Sequence, residues 1–138
     1  MYTRVETYAG ASMLEPYVAV LAPWQQVQGY GTTPSEETLA VFVPLLHTSF
    51  PGLWVYAICA VIWPNGTIPP HQDTHTTGSQ RFHLVLSTNP DAWVWHDGIW
   101  QQLEQDGVYT MDPEKVHAAL NWGTLPRVHL VFDIVPDG

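Results

Sequence analysis

"RVHLVFDIV", residues 127–135, decides how this chain is built. Side chains on an extended strand point alternately to opposite faces, so Arg127, His129 and Asp133 share one face while Val128, Leu130, Phe132 and Ile134 share the other. "RFHLVLS", residues 81–87, repeats the pattern, with Arg81 and His83 on one side and Phe82, Leu84 and Leu86 on the other. A sheet face turned to solvent is usually filled with Lys, Glu, Thr and Ser. Here it carries His, Arg and Asp in a chain with only four Lys and Arg together. The ionisable face therefore reads as the inside of a barrel.

Further strand signals surround these two. "LWVYAICAVIW" (53–63), "AWVWH" (92–96), "IWQQL" (99–103), "GVYTM" (107–111) and "KVHAAL" (115–120) are rich in β-branched and aromatic residues. Pro64-Asn65-Gly66 marks a turn, and Asp97-Gly98 between Trp95 and Trp100 is a two-residue hairpin signal. Short strands at close intervals in one chain predict a mainly β fold, with a cupin-like jelly roll (a double-stranded β-helix) as one solution. Residues 51–138 would form that core and residues 1–50 an N-terminal cap with short helices, all in a single domain. Thr33-Pro34-Ser35-Glu36-Glu37 reads as a helix start capped by Thr33, continuing through about Leu39 to Val43 until Pro44 disturbs it. An earlier helical piece, interrupted by Pro16 and Pro23, spans about Met13 to Gln26.

The bulk properties narrow the function. The chain has 138 residues, 46% of them hydrophobic and 12% charged, a composition that supports one packed core and argues against disorder. A formal charge of −9 repels phosphate backbones, so no nucleic-acid duplex is expected as a partner. A small anion can still bind where one arginine lines a pocket. The N-terminus lacks a cationic segment followed by an apolar run, and no apolar stretch reaches the roughly 18 residues of a membrane span, which predicts a soluble, cytoplasmic protein. The single Cys59 permits no internal disulfide and, within an apolar strand, reads as a buried, inert thiol.

Chemistry concentrates in "IPPHQDTHTTGSQRFHLVL", residues 68–86. His71 and Asp73 share a face if "HQD" is extended. His-x-Asp with a distant second His is the spacing that supplies three ligands to one face of an octahedral ion and leaves the rest open. His117, in "KVHAALNWGTLPRVHL", is one candidate for the third ligand and His129 is its rival. Arg127 in an apolar strand needs a negative partner, either an anionic ligand or a buried acid such as Asp133. Arg81 and His83 are candidates for a supporting shell. His47, His75 and His96 read as surface or turn residues. Trp93, Trp95 and Trp100 read as packing around the hairpin rather than as a substrate platform.

"HQD", "RFH", "VH" and "RVHLVFD", in that order within residues 53–135, resemble the 2-oxoglutarate- and Fe(II)-dependent oxygenases of the aspartyl/asparaginyl β-hydroxylase branch, which also includes hydroxylases of free proline. The resemblance implies that His71, Asp73 and His117 ligate iron. It implies that Arg127 pairs with the distal carboxylate of 2-oxoglutarate, and that Arg81 and His83 lie near its other carboxylate. Some members lack the carboxylate ligand; with Asp73 present, the full triad is expected. The implied reaction uses molecular oxygen and 2-oxoglutarate to hydroxylate an aliphatic carbon of an amino acid, another small molecule or a peptide side chain. Two other classes fit a jelly roll. One is a cupin-like isomerase or cosubstrate-free dioxygenase, which tends to show His-x-His with a nearby Glu, absent from this stretch. The other is a non-enzymatic binding protein with a buried polar network.

Overall fold

A computed structural model of the chain describes residues 1–21, 25–27 and 29–137. Among the described residues, eleven antiparallel strands form two sheets. The larger sheet contains β1 (Thr3–Thr7), β2 (Gln25–Val27), β3 (Tyr30–Thr32), β4 (Leu53–Ile62), β6 (Gln80–Ser87), β9 (Gly107–Met111) and β11 (Arg127–Val135), in the order β1-β9-β6-β11-β4-β3-β2. The smaller sheet contains β5 (Thr67–His71), β7 (Ala92–His96), β8 (Ile99–Gln101) and β10 (His117–Asn121), in the order β5-β10-β7-β8. This is a mainly β, cupin-like jelly roll with two short helices, α1 (Glu15–Val18) and α2 (Ser35–Leu46).

The alternation seen in the sequence becomes two separate cores. On the outer face of the larger sheet, Leu84, Leu86, Leu130, Phe132 and Ile134 pack with Phe42 and Leu46 of α2. Trp54 stacks on Phe132 at 4.3 Å within the same cluster. On the inner face, Ile62 and Val85 meet Val94 and Ala119 of the smaller sheet, together with Tyr2, Tyr109 and Met111. The ionisable residues of β6 and β11 share this inner face, so they are enclosed between the sheets.

Several local expectations need correction. The N-terminal segment does more than cap, because β1 pairs with β9 and β3 with β4 inside the larger sheet. The expected Met13–Gln26 helix is only a 3-10 turn (Ala11–Leu14) followed by α1, and Gln25 and Gln26 lie in a strand; residues 22–24 fall outside the described residues. Helix α2 runs past Pro44 to Leu46. A proline inside a helix costs about 3 kcal/mol, but Thr38, Phe42 and Leu46 recur every four residues and are fully buried, and burying Phe and Leu recovers roughly 1.5–3 kcal/mol each. Its N-cap is Pro34 with no side-chain capping bond. Thr33 instead ties the helix to β4, donating to Thr38 Oγ1 (2.7 Å) and accepting the Cys59 N–H (2.7 Å). Cys59 is buried, and burial pushes its thiol up to about 12. The Asp97-Gly98 turn is as expected, with φ of 47° and 87° at the two positions, the pair of left-handed residues that a tight hairpin demands.

Candidate metal centre

His71 ends β5 and His117 begins β10, and the two residues are cross-strand partners in the smaller sheet. Their rings lie 4.2 Å apart. Asp73 follows β5 on a segment held by its backbone N–H to the Pro113 carbonyl (2.9 Å). Its Oδ2 sits 3.3 Å from His117 Nε2 and 3.5 Å from His71 Nε2. One ligand atom from each of the three residues falls within 4.8 Å of the others, a spacing that could hold a metal ion.

The tautomers make this convergence chemically telling. His71 Nδ1 lies 2.8 Å from the Pro69 carbonyl and His117 Nδ1 lies 2.8 Å from the Lys115 carbonyl, two residues back in each case. A carbonyl only accepts, so each Nδ1 carries a proton and donates it. In the neutral rings the Nε2 atoms are then lone pairs, and both face one carboxylate oxygen. Three acceptors at this separation repel unless a proton or a cation sits among them. Without a metal the burden falls on protons: Asp73 holds His71 above the usual histidine range, and His117, then His71, hold Asp73 well below the usual carboxylate range.

Arg81 reaches the same oxygen from the larger sheet. Its Nη1 donates to Asp73 Oδ2 at 3.0 Å, while Nε and Nη2 donate to Asp133 Oδ1 and Oδ2 at 2.7 and 2.9 Å. Arg81 and Asp133 are opposite one another in the β6–β11 register. Asp133 is therefore not the partner of Arg127, as one reading of the sequence allowed. Six residues along a strand separate the two by about 20 Å.

Arg127 is 3% exposed, and its Nε is buried with no hydrogen-bond partner among the described residues. Burial lowers its pKa to about 10, still a cation near neutrality. Both Arg127 and the triad line one cavity of about 470 Å³, whose walls also include Tyr2, Tyr30, Tyr56 and His83. That volume lies in the range of small-molecule sites. A second, more open cleft of about 530 Å³ shares Tyr56, Gln72, Asp73 and Arg81 with it.

His83 lies between the two ends of this cavity. Burial, then Arg127, Arg81 and His117, hold it well below the usual histidine range, so it is neutral. Its Nδ1 meets His129 Nδ1 at 3.1 Å, and His129 is neutral for the same first reason, burial. One of the two must donate. His129 Nε2 is buried with no partner among the described residues, and an orphaned lone pair there is less unfavourable than an orphaned N–H. His129 thus donates through Nδ1, His83 accepts, and His83 carries its own proton on Nε2, the edge left for the cavity. His129 is remote from the Asp73 cluster; His117 is the histidine that the fold brings there.

The other sequence candidates divide. His47 bonds to the Val43 carbonyl at the end of α2 and is exposed. His75 contacts Ser79 and Glu114 outside the triad. His96, read as a surface or turn residue, does precede the Asp97-Gly98 turn but is 3% exposed, donates from Nε2 to the Asp112 carbonyl and pairs with His117 in register. Trp95 and Trp100 are cross-strand partners, but Trp93 and Trp100 are 37% and 53% exposed, on the face of the smaller sheet opposite the inward Ala92, Val94 and His96. Tyr2 and Tyr56 were not anticipated as cavity residues.

Comparison with known proteins bears on the fold and on the family. Among solved structures, the cupin domain of Cnp3 from Schizosaccharomyces pombe is similar at 10% identity and a TM-score of 0.55, over 86% of this chain and 72% of that one. A predicted oxalate decarboxylase from Thermotoga maritima is similar at 11% identity and 0.53, over 82% and 92%. KdgF from Halomonas sp. is similar at 16% and 0.52, over 84% and 89%. At such identities these likenesses establish the fold alone. No curated protein matches the sequence. Residues 5–136, however, match the family description of the aspartyl/asparaginyl beta-hydroxylases, and the chain belongs to that family.

Proposed function

We propose that the chain is an Fe(II)- and 2-oxoglutarate-dependent hydroxylase of an aliphatic carbon in an amino acid, another small molecule or a peptide side chain. The observation that carries this reading is the aim of two Nε2 lone pairs, each fixed by a donated Nδ1 proton, at one oxygen of Asp73. Two imidazoles and one carboxylate on one side of an ion suit Fe(II) and leave coordination positions open. When bound, the iron supplies the redox chemistry: oxygen and 2-oxoglutarate become succinate and carbon dioxide, and one oxygen atom enters a C–H bond as hydroxyl.

The chain's own residues bind and orient. Arg127 presents a buried, unpaired guanidinium to the cavity, suited to a two-pronged bond with the distal carboxylate of the cosubstrate. His83 offers an Nε2–H between Arg127 and the triad, suited to the carboxylate nearer the metal. Arg81, with three nitrogens engaged by Asp133 and Asp73, holds the carboxylate ligand in place, so in this chain its role is to orient Asp73 more than to receive the cosubstrate. The enclosing sheets exclude bulk water, and the cleft beyond Tyr56 and Gln72 gives the substrate an approach.

The test is turnover. Protein supplied with Fe(II), oxygen and 2-oxoglutarate should release succinate slowly even without substrate, and Asp73→Ala should abolish that release. Succinate formation that persists unchanged in Asp73→Ala, or is absent from wild-type protein with bound iron, contradicts the reading.

A further inference from the structure

We propose that Tyr2 is a second anchor for the cosubstrate, its phenol O–H donating a hydrogen bond to the carboxylate that Arg127 binds. The role rests on Arg127 taking a carboxylate, as argued above, and adds a residue from a part of the chain that the site does not otherwise use.

Tyr2 immediately precedes β1 and is 4% exposed. Its backbone is pinned in both directions by one side chain: the Tyr2 N–H donates to Gln101 Oε1 at 2.7 Å and Gln101 Nε2 donates to the Tyr2 carbonyl at 3.0 Å. Its ring is set edge-on to His83, with centroids 5.1 Å apart, and to His96 at 5.5 Å. The ring is therefore fixed by its surroundings. No partner among the described residues meets the phenol oxygen, although a buried tyrosine normally finds one. Tyr2 lines the same cavity as Arg127.

Charge complements the geometry. Burial raises the phenol to about 12, so it stays a protonated donor at any working pH. Arg127 is the strongest charge acting on Tyr2, and Tyr2 in turn favours the charged form of Arg127. A buried cation and a buried neutral donor, both without a side-chain partner among the described residues and lining one cavity, make a receptor for an anion: Arg127 supplies the charge, Tyr2 a directed hydrogen bond. A neutral ligand would leave the guanidinium unsatisfied.

Tyr2→Phe removes the hydroxyl and keeps the ring contacts. Wild-type and variant protein, both loaded with redox-inert Zn(II), are titrated calorimetrically with 2-oxoglutarate and with 2-oxobutyrate, a keto acid that lacks the distal carboxylate. A hydrogen bond to a charged group corresponds to roughly a ten- to hundredfold change in affinity. The expected result is a loss of that size for 2-oxoglutarate with 2-oxobutyrate affinity unchanged. Equal 2-oxoglutarate affinity in the two proteins overturns the role of Tyr2 and leaves the cosubstrate reading intact. Equal losses for both keto acids assign the effect to pocket shape and also overturn it. Wild-type protein that binds neither acid removes the cosubstrate reading, and the anchor with it.

Discussion

Arg81 grips both oxygens of Asp133 across neighbouring strands and lays its remaining nitrogen against Asp73. Asp133 is almost fully buried and Arg81 nearly so. Removing one partner of such a pair leaves a charge in a low-dielectric interior, at a cost of about 3–5 kcal/mol. Asp133→Ala should destabilise the metal-free protein toward the lower end of that range, since Asp73 still faces Arg81. Urea unfolding measures it, and a loss under 1 kcal/mol would show that the fork contributes little.

The two candidate third ligands separate cleanly. His117→Ala should reduce affinity for a divalent transition metal by at least a hundredfold, because it removes one of three converging donors. His129→Gln should keep binding within about tenfold, since His129 is not among the three converging donors and its side chain meets His83 instead. Isothermal titration of the metal-free variants decides, and a reversed order would move the centre to β11.

The role proposed for Arg127 sets binding against stability. A buried, unpaired charge destabilises the empty protein, and replacing buried ionic groups with apolar residues of similar volume is often neutral or stabilising by 1–4 kcal/mol. Arg127→Met should raise the thermal midpoint of the metal-free protein and remove measurable 2-oxoglutarate binding. A lowered midpoint would mean that the guanidinium has a partner in the folded chain.

Histidine burial fixes a pH dependence. His83 and His129 titrate well below their unfolded value of about 6.5. Below that pH the unfolded chain takes up protons that the folded chain does not, so stability falls as pH falls. His71 works the other way, because Asp73 raises it; its contribution is present below about 6.5 and fades as pH rises through its folded pKa. It is one half-exposed ring against two buried ones. The urea midpoint of the metal-free protein should therefore be lower at pH 5.5 than at pH 7.5; an unchanged or higher midpoint would contradict the neutral, buried pair.

Much of this architecture is legible in the strands whose two faces differ in chemistry. β6 and β11 carry ionisable groups on one side and large apolar groups on the other, so their orientation follows from period alone. β7 does not: Ala92, Val94 and His96 alternate with Trp93 and Trp95, both faces are mainly apolar, and only the opposing sheet decides that the small residues and His96 turn inward. Pro44 shows tertiary burial overriding a local helix breaker. Tyr2 carries no motif, and β1 is exposed along its length, so the residue enters the cavity through its clamp to Gln101, a contact between positions 99 residues apart. The Arg81–Asp133 fork was half visible, since both residues lie on inward faces, but strand register decides that Asp133 meets Arg81 and not Arg127.

The most direct measurement is the visible absorption of the protein after anaerobic addition of Fe(II) and then 2-oxoglutarate. With His71, Asp73 and His117 holding the ion, a charge-transfer band should grow to one equivalent of each, and it should be absent in His117→Ala. Folded wild-type protein without the band, or a band that survives in His117→Ala, would contradict the assignment.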